Sequence, residues 1–168
     1  MSDGGNTGPL GIESGRARRE PWRQRLAHIV ETMREMSRFT DPQEMVSYYG
    51  DRMENYFRYD GFISLSRRGL EPPYYRITRS SRWVEDIDPW KNRDRLPVLS
   101  GGLLGELLYG DEPRLINDLT VAPDDPGRYY LEGMRSLIAV PHFDKGHGLN
   151  MVVTLRKDPQ GIDPDEFP

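Results

Sequence analysis

An α+β domain is predicted by three observations along this 168-residue chain. Apolar residues recur at helical spacing through the first third, and the period changes to two after Gly61. Two alternating runs joined by a glycine-containing turn then close the pattern as a hairpin. The length suits one domain with a core of its own, and two full domains would be cramped.

Composition removes several chemistries. The chain has no cysteine, which excludes disulfides, iron–sulfur clusters, thiolate zinc sites, thiol nucleophiles and thioether-linked chromophores. Its 23 basic residues face 27 acidic ones, a net charge of −4, which argues against a dedicated nucleic-acid binder. The longest apolar stretches, such as Leu137-Ile138-Ala139-Val140, fall far short of the roughly 18 residues a membrane span needs. The start, Met1 to Gly15, lacks both the basic head and the apolar core of a signal peptide. Residues 1–17 are expected to form a disordered tail, because they offer almost nothing to bury.

Trp22, Leu26, Ile29, Met33 and Met36 are spaced 4, 3, 4, 3, the spacing of a helical seam. Two heptads serve either a dimer or packing within the chain, and both readings stay open. Asp41-Pro42-Gln43-Glu44 then reads as a helix start, with Asp41 as N-cap, Pro42 at N1 and Glu44 completing a capping box. Behind it Met45, Val46, Tyr49, Met53, Tyr56 and Phe57 share one face, and the helix is expected to stop near Tyr59-Asp60-Gly61.

The strands follow. Residues 62–66 alternate, Tyr74 to Thr78 is the expected partner strand, and Ser80 to Pro97 reads as a long connection. A short helix is predicted from Leu103 to Tyr109, closed by Gly110 at C′. A short strand over 113–117 and a small helix from Asp124 to Gly133 come next. Ser136 to Phe143 and Leu149 to Arg156 form the hairpin, with 144–148 as its loop. Finally, Asp163-Pro164-Asp165-Glu166 repeats the Asp-Pro-x-Glu pattern of 41–44, so the sequence is expected to be a piece truncated at the start of a C-terminal helix.

No catalytic constellation emerges. His28, His142 and His147 show no metal-ligand spacing, and neither a nucleophile elbow nor a phosphate-loop motif is present. Gly101-Gly102-x-x-Gly105 opens the short helix, whose free N–H groups are candidates to face an anionic ligand.

One stretch carries a family likeness. Asn117-Asp118-Leu119, then Gly133-Met134-Arg135-Ser136-Leu137-Ile138-Ala139-Val140-Pro141, then Leu149 to Leu155 after a Gly-containing turn, resembles the C-terminal half of a GAF domain. His142 and Asn150 depart from the residues common in that family. The resemblance covers roughly residues 20–168, and the GAF-like domain is expected over 18–168. It implies a central antiparallel sheet of about six strands, with N-terminal helices on one face and short helices covering a pocket on the other. It also implies a noncatalytic, cytoplasmic sensory or regulatory domain that binds a small molecule and signals to an output domain beyond this piece. Similar input domains precede histidine kinases and metal-dependent serine phosphatases, so that missing part is expected to be an enzyme such as a serine phosphatase.

Under the resemblance the ligand-binding candidates are Tyr75, Ile77, Trp90, Leu103, Asp118, Arg135 and Ile138. Asp118 would accept hydrogen bonds and Arg135 would pair with a carboxylate or phosphate. The dimer candidates are Trp22, Leu26, Ile29 and Met33, giving a homodimer through terminal helices. The lack of cysteine rules out thiol-attached bilins, and the missing motif of cyclic-nucleotide binders disfavours those ligands; the cofactor stays unidentified, and no metal, membrane or nucleic-acid partner is expected. The rival expectation is a dimerisation or protein-interaction module without a ligand.

Overall fold

The computed structural model describes residues 22–41, 44–45, 47–48, 59–85 and 87–164. The expected tail lies outside them, as do Asp165 and Glu166 of the anticipated last helix. The chain divides into two units between Met53 and Glu54.

In the first unit, helix α1 runs Trp22–Met36, the stretch that carries the seam spacing. Met33 is 65% exposed, whereas the side chains of Trp22, Leu26 and Ile29 lie outside the described residues. The second predicted helix start is present. The Asp41 carboxylate accepts the Glu44 N–H at 3.4 Å, and the Met45 N–H reaches the Asp41 carbonyl at 3.1 Å, the bonds an N-cap makes. The rest of that helix's proposed apolar face, Val46, Tyr49, Met53, Tyr56 and Phe57, is outside the described residues.

The second unit is built on one antiparallel sheet of six strands: β1 Gly61–Ser66, β2 Tyr74–Ser80, β3 Val98–Ser100, β4 Arg114–Ile116, β5 Ser136–Asp144 and β6 His147–Arg156. Their order is β3-β2-β1-β6-β5-β4, so β1 and β6 lie at the centre. Register follows the alternation of the sequence: Leu65 pairs with both Ile77 and Met151, and Val153 with both Ile63 and Ala139. These residues therefore share one inner face. Helices α2, Gly102–Gly110, and α3, Arg128–Leu131, pack on it. Leu104, Leu107 and Leu108 of α2 and Tyr130 and Leu131 of α3 join Ile63, Leu65, Tyr75, Ile77, Leu137 and Leu155 in a single core cluster.

Four local expectations need correction. Strand β2 runs on to Ser80 because Thr78 is a bulge residue: Ser64 pairs with Arg79 while Leu65 pairs with Ile77. The Thr78 hydroxyl donates to the Ser64 carbonyl across it, at 3.1 Å. The supposed connection 80–97 holds a 3₁₀ turn, Arg93–Arg95, and ends beside the unforeseen edge strand β3. Gly110 is the last helical residue and not C′; the left-handed position falls to Asp111, with φ 54°. Arg67 holds Asp111 there, its Nη2 donating to both carboxylate oxygens at 2.9 and 2.8 Å while its Nε donates to the Gly148 carbonyl at 2.6 Å. The β5–β6 turn is two residues, Lys145 and Gly146, both at positive φ, the geometry that suits the twist of a tight hairpin.

One side chain ties the C-terminal segment at Ile162. The Asn117 amide donates to the Ile162 carbonyl at 3.1 Å and accepts the Ile162 N–H at 2.9 Å. It thus stands in for a peptide group. Asn117→Asp keeps the acceptor and removes the donor, and is expected to cost about 1 kcal/mol. Amide exchange at Ile162 should quicken while that of Val153 in β6 stays unchanged; an unaltered Ile162 rate would refute the assignment.

Candidate functional site

The inner face and its cover, α2 and α3, enclose a mostly apolar interior, with buried Ser80 on β2 and a polar corner at the start of α2. Tyr75, fully buried, rises from β2 beneath the start of α2, and its hydroxyl donates to the Gly101 carbonyl at 3.1 Å. A close approach makes this possible: a Cβ on Gly105 would stand 3.1 Å from the Tyr75 ring. Asp125 reaches the same corner from the loop before α3. Its carboxylate accepts the Leu103 N–H at 2.8 Å and the Gly127 N–H at 2.7 Å. The first turn of α2 thereby finds an acceptor for an N–H that has no partner within the helix. A Cβ on Gly102, already at φ +70°, would meet that carboxylate at 2.8 Å, so the seat requires glycine.

Burial pushes the Tyr75 phenol well above its ordinary range, with the nearby negative charge of Asp125 and then Tyr130 reinforcing it. Burial also raises Tyr130, opposed by a hydrogen bond from Trp83. Both hydroxyls are therefore neutral donors or acceptors through the physiological range. Arg82 fastens the far end of α3 by donating Nε to the Tyr130 carbonyl at 3.3 Å and Nη2 to the Glu132 carbonyl.

Of the seven ligand candidates, Tyr75, Ile77 and Leu103 are brought together here, the first two buried and Leu103 packed against the core. The others are not. Ile138 points to the opposite face, since its neighbours Leu137 and Ala139 are the inward pair. Trp90 is 54% exposed in the β2–β3 connection, its ring under the Arg79 guanidinium at 5.0 Å. Asp118, at φ 57°, and Arg135 are both exposed. Their loops meet through the backbone, the Leu119 N–H donating to the Arg135 carbonyl at 2.8 Å.

Alternation alone would have set Ile138 apart from Leu137. Asp125 and Tyr130 were missed for another reason, because Asp125 reads locally as the start of its own helix. The α2 N-terminus considered for an anion does hold one, and it is the chain's own Asp125. Among the described residues no group of acidic and histidine side chains is arranged to hold a metal ion, and no helix is long and apolar enough to cross a membrane.

No protein-family model matches this chain, and no curated protein does. Solved structures do. The GAF domain of a phosphoenolpyruvate-protein phosphotransferase from Coxiella burnetii superposes with a TM-score of 0.61 at 14% identity, over 84% of this chain and 82% of that one. The GAF domain of a two-component sensor histidine kinase from Bacillus halodurans gives 0.56 at 11% identity, over 76% and 84%. That of A. aeolicus nlh2, in an inactive state, gives 0.56 at 13%, over 86% and 84%. At such identities the likeness is one of fold.

Proposed function

We propose that this chain, which has the GAF fold, is a noncatalytic sensory domain that takes a small molecule under α2 and α3 and signals to an output domain outside residues 1–168. The observation that carries this reading is the polar corner at Gly101–Leu103. There the Tyr75 hydroxyl and the Asp125 carboxylate hold the cover down through its own backbone groups. A ligand with a donor and an acceptor can exchange for those bonds and shift the cover. Tyr75, Ile77, Leu103, Asp125 and Tyr130 are its proposed contacts. Domains of this fold in a sensor histidine kinase and a phosphotransferase support a regulatory role, and a cytoplasmic homodimer joined through terminal helices goes with it.

A second reading has its own support. Tyr75 is fully buried and the α2 backbone lies close on its ring, so the interior is well filled by the chain itself. That favours an interaction module without a ligand, working through Trp22, Leu26, Ile29 and Met33.

A thermal-shift screen against cyclic nucleotides, purines, amino acids, 2-oxo acids and haem-type cofactors separates the two. A ligand at about 100 times its Kd stabilises by about 2.7 kcal/mol, a rise of roughly 5–10 °C for a domain of this size. The sensor reading expects such a rise, blunted in Asp125→Asn. A flat panel together with a dimer by sedimentation would replace it with the interaction module.

A further inference from the structure

Arg76 leaves β2 on the face opposite the helices, between Ser66 of β1 and Val98 of β3. Its Nη1 donates to the Arg68 carbonyl at 3.4 Å. Arg93, from the 3₁₀ turn 93–95, donates Nη2 to that same oxygen. Two guanidinium groups thus converge on one neutral acceptor. The β1–β2 turn is shaped for this: Gly69 has φ +67°, and a Cβ there would stand 2.8 Å from Arg93 Nη2.

The neighbouring arginines are neutralised differently. Arg67 bonds the Asp111 carboxylate and Arg68 bonds that of Asp144, at 2.7 Å. Among the described residues, no carboxylate is hydrogen-bonded to Arg76 or Arg93. Burial and then the charge of Arg93 work against the protonated form of Arg76, and the charge of Asp94 partly offsets them. Each guanidinium carries five N–H donors in a planar fork, and the Arg68 carbonyl takes one from each.

We propose that Arg76 and Arg93 form a binding site for a phosphoryl dianion on the sheet face away from α2 and α3. A tetrahedral dianion offers acceptors to both forks at once and cancels both positive charges, which a single carboxylate does not. The site is independent of the small-molecule site proposed under the helices, since it shares no residue with it.

The test is a titration of the whole chain with inorganic phosphate and, separately, with AMP as a phosphomonoester, following the Arg Nε–H signals of both residues by NMR. At low salt a Kd on the order of 1 mM is expected for a phosphoryl dianion held by one half-buried and one exposed arginine. It should weaken at least tenfold in Arg76→Gln and in Arg93→Gln, and weaken steeply with added chloride. Equal binding of the two probes assigns the phosphoryl group itself as the ligand, and tighter binding of AMP assigns a phosphomonoester. Gly69→Ala, which displaces Arg93 while keeping every charge, should weaken binding as well. Unperturbed Arg signals with both probes to tens of millimolar, or affinities unchanged in the two glutamine variants, would overturn the proposal. Both glutamine variants should unfold no more easily than the parent at low salt, because each removes one of two like charges.

Discussion

Tyr75→Ala is expected to destabilise the domain by about 3–5 kcal/mol, the usual cost of truncating a fully buried aromatic side chain. The ring is fully buried, at 0% exposure, in a strand next to the centre of the sheet, with α2 close above it at Gly105. A helix fixed by Asp125 at one end and Asp111 at the other cannot collapse onto the vacated space, so the loss belongs near the upper part of that range. Urea unfolding should show it as a lower midpoint, and a thermal scan as a fall in Tm of roughly 6–20 °C. Tyr75→Phe removes only the bond to the Gly101 carbonyl and should cost about 1 kcal/mol. The pair also predicts a pH dependence. In the folded domain the phenol titrates above its unfolded value of about 10, so the stabilising contribution is complete below pH 10 and is lost as pH rises beyond it. The phenylalanine variant should lose stability less steeply there, by one proton's worth of slope. Identical alkaline slopes would contradict the burial of the hydroxyl.

Asp125→Ala comes next, with an expected loss of about 2 kcal/mol. Two backbone N–H groups, those of Leu103 and Gly127, would lose a charged acceptor at 2.8 and 2.7 Å. Charge-assisted bonds are the stronger kind, but the carboxylate is only half-buried, and water replaces part of what is lost. Asp125→Asn presents one acceptor oxygen and turns donors toward the other N–H, so it should recover less than half. A second readout is specific to the geometry. Since the Asp125 charge raises the Tyr75 phenol, its removal should move the alkaline absorbance titration of Tyr75 toward lower pH. An unmoved titration would mean that the two side chains do not share a corner in solution.

What the sequence made legible was governed by periodicity. The inward sets of β1, β5 and β6 are readable because each residue's face follows from its neighbour two positions away. The Asp41 cap is readable because its partner lies three residues on. Strand β3 is not legible, since its three residues follow directly on a long charged connection with Pro97 in it and show no period of their own. Three hairpin positions, Asp144, His147 and Gly148, belong to the strands and not to the loop, because Lys145 adopts a left-handed conformation that glycine more often supplies. Within the site, strand pattern places Tyr75 and Ile77 together on β2, and the family resemblance makes them ligand candidates. Asp125, Arg67 and Asn117 act across 22, 44 and 45 positions respectively, and no local spacing announces a hydrogen bond of that reach. Ile138 was grouped with Tyr75 by its company in the family-like run, where alternation already placed it on the other side.

The Asn117 amide has a chemical lifetime as well as a geometry. Asparagine is among the thermolabile residues, and hydrolysis of its amide yields aspartate at the same position. The new carboxylate would present lone pairs to the Ile162 carbonyl where an N–H now points. The tie that holds the end of the domain would then repel it. Stored or long-lived copies of this protein would therefore accumulate a subpopulation with a loosened C-terminal segment, one mass unit heavier and one charge more negative than fresh material.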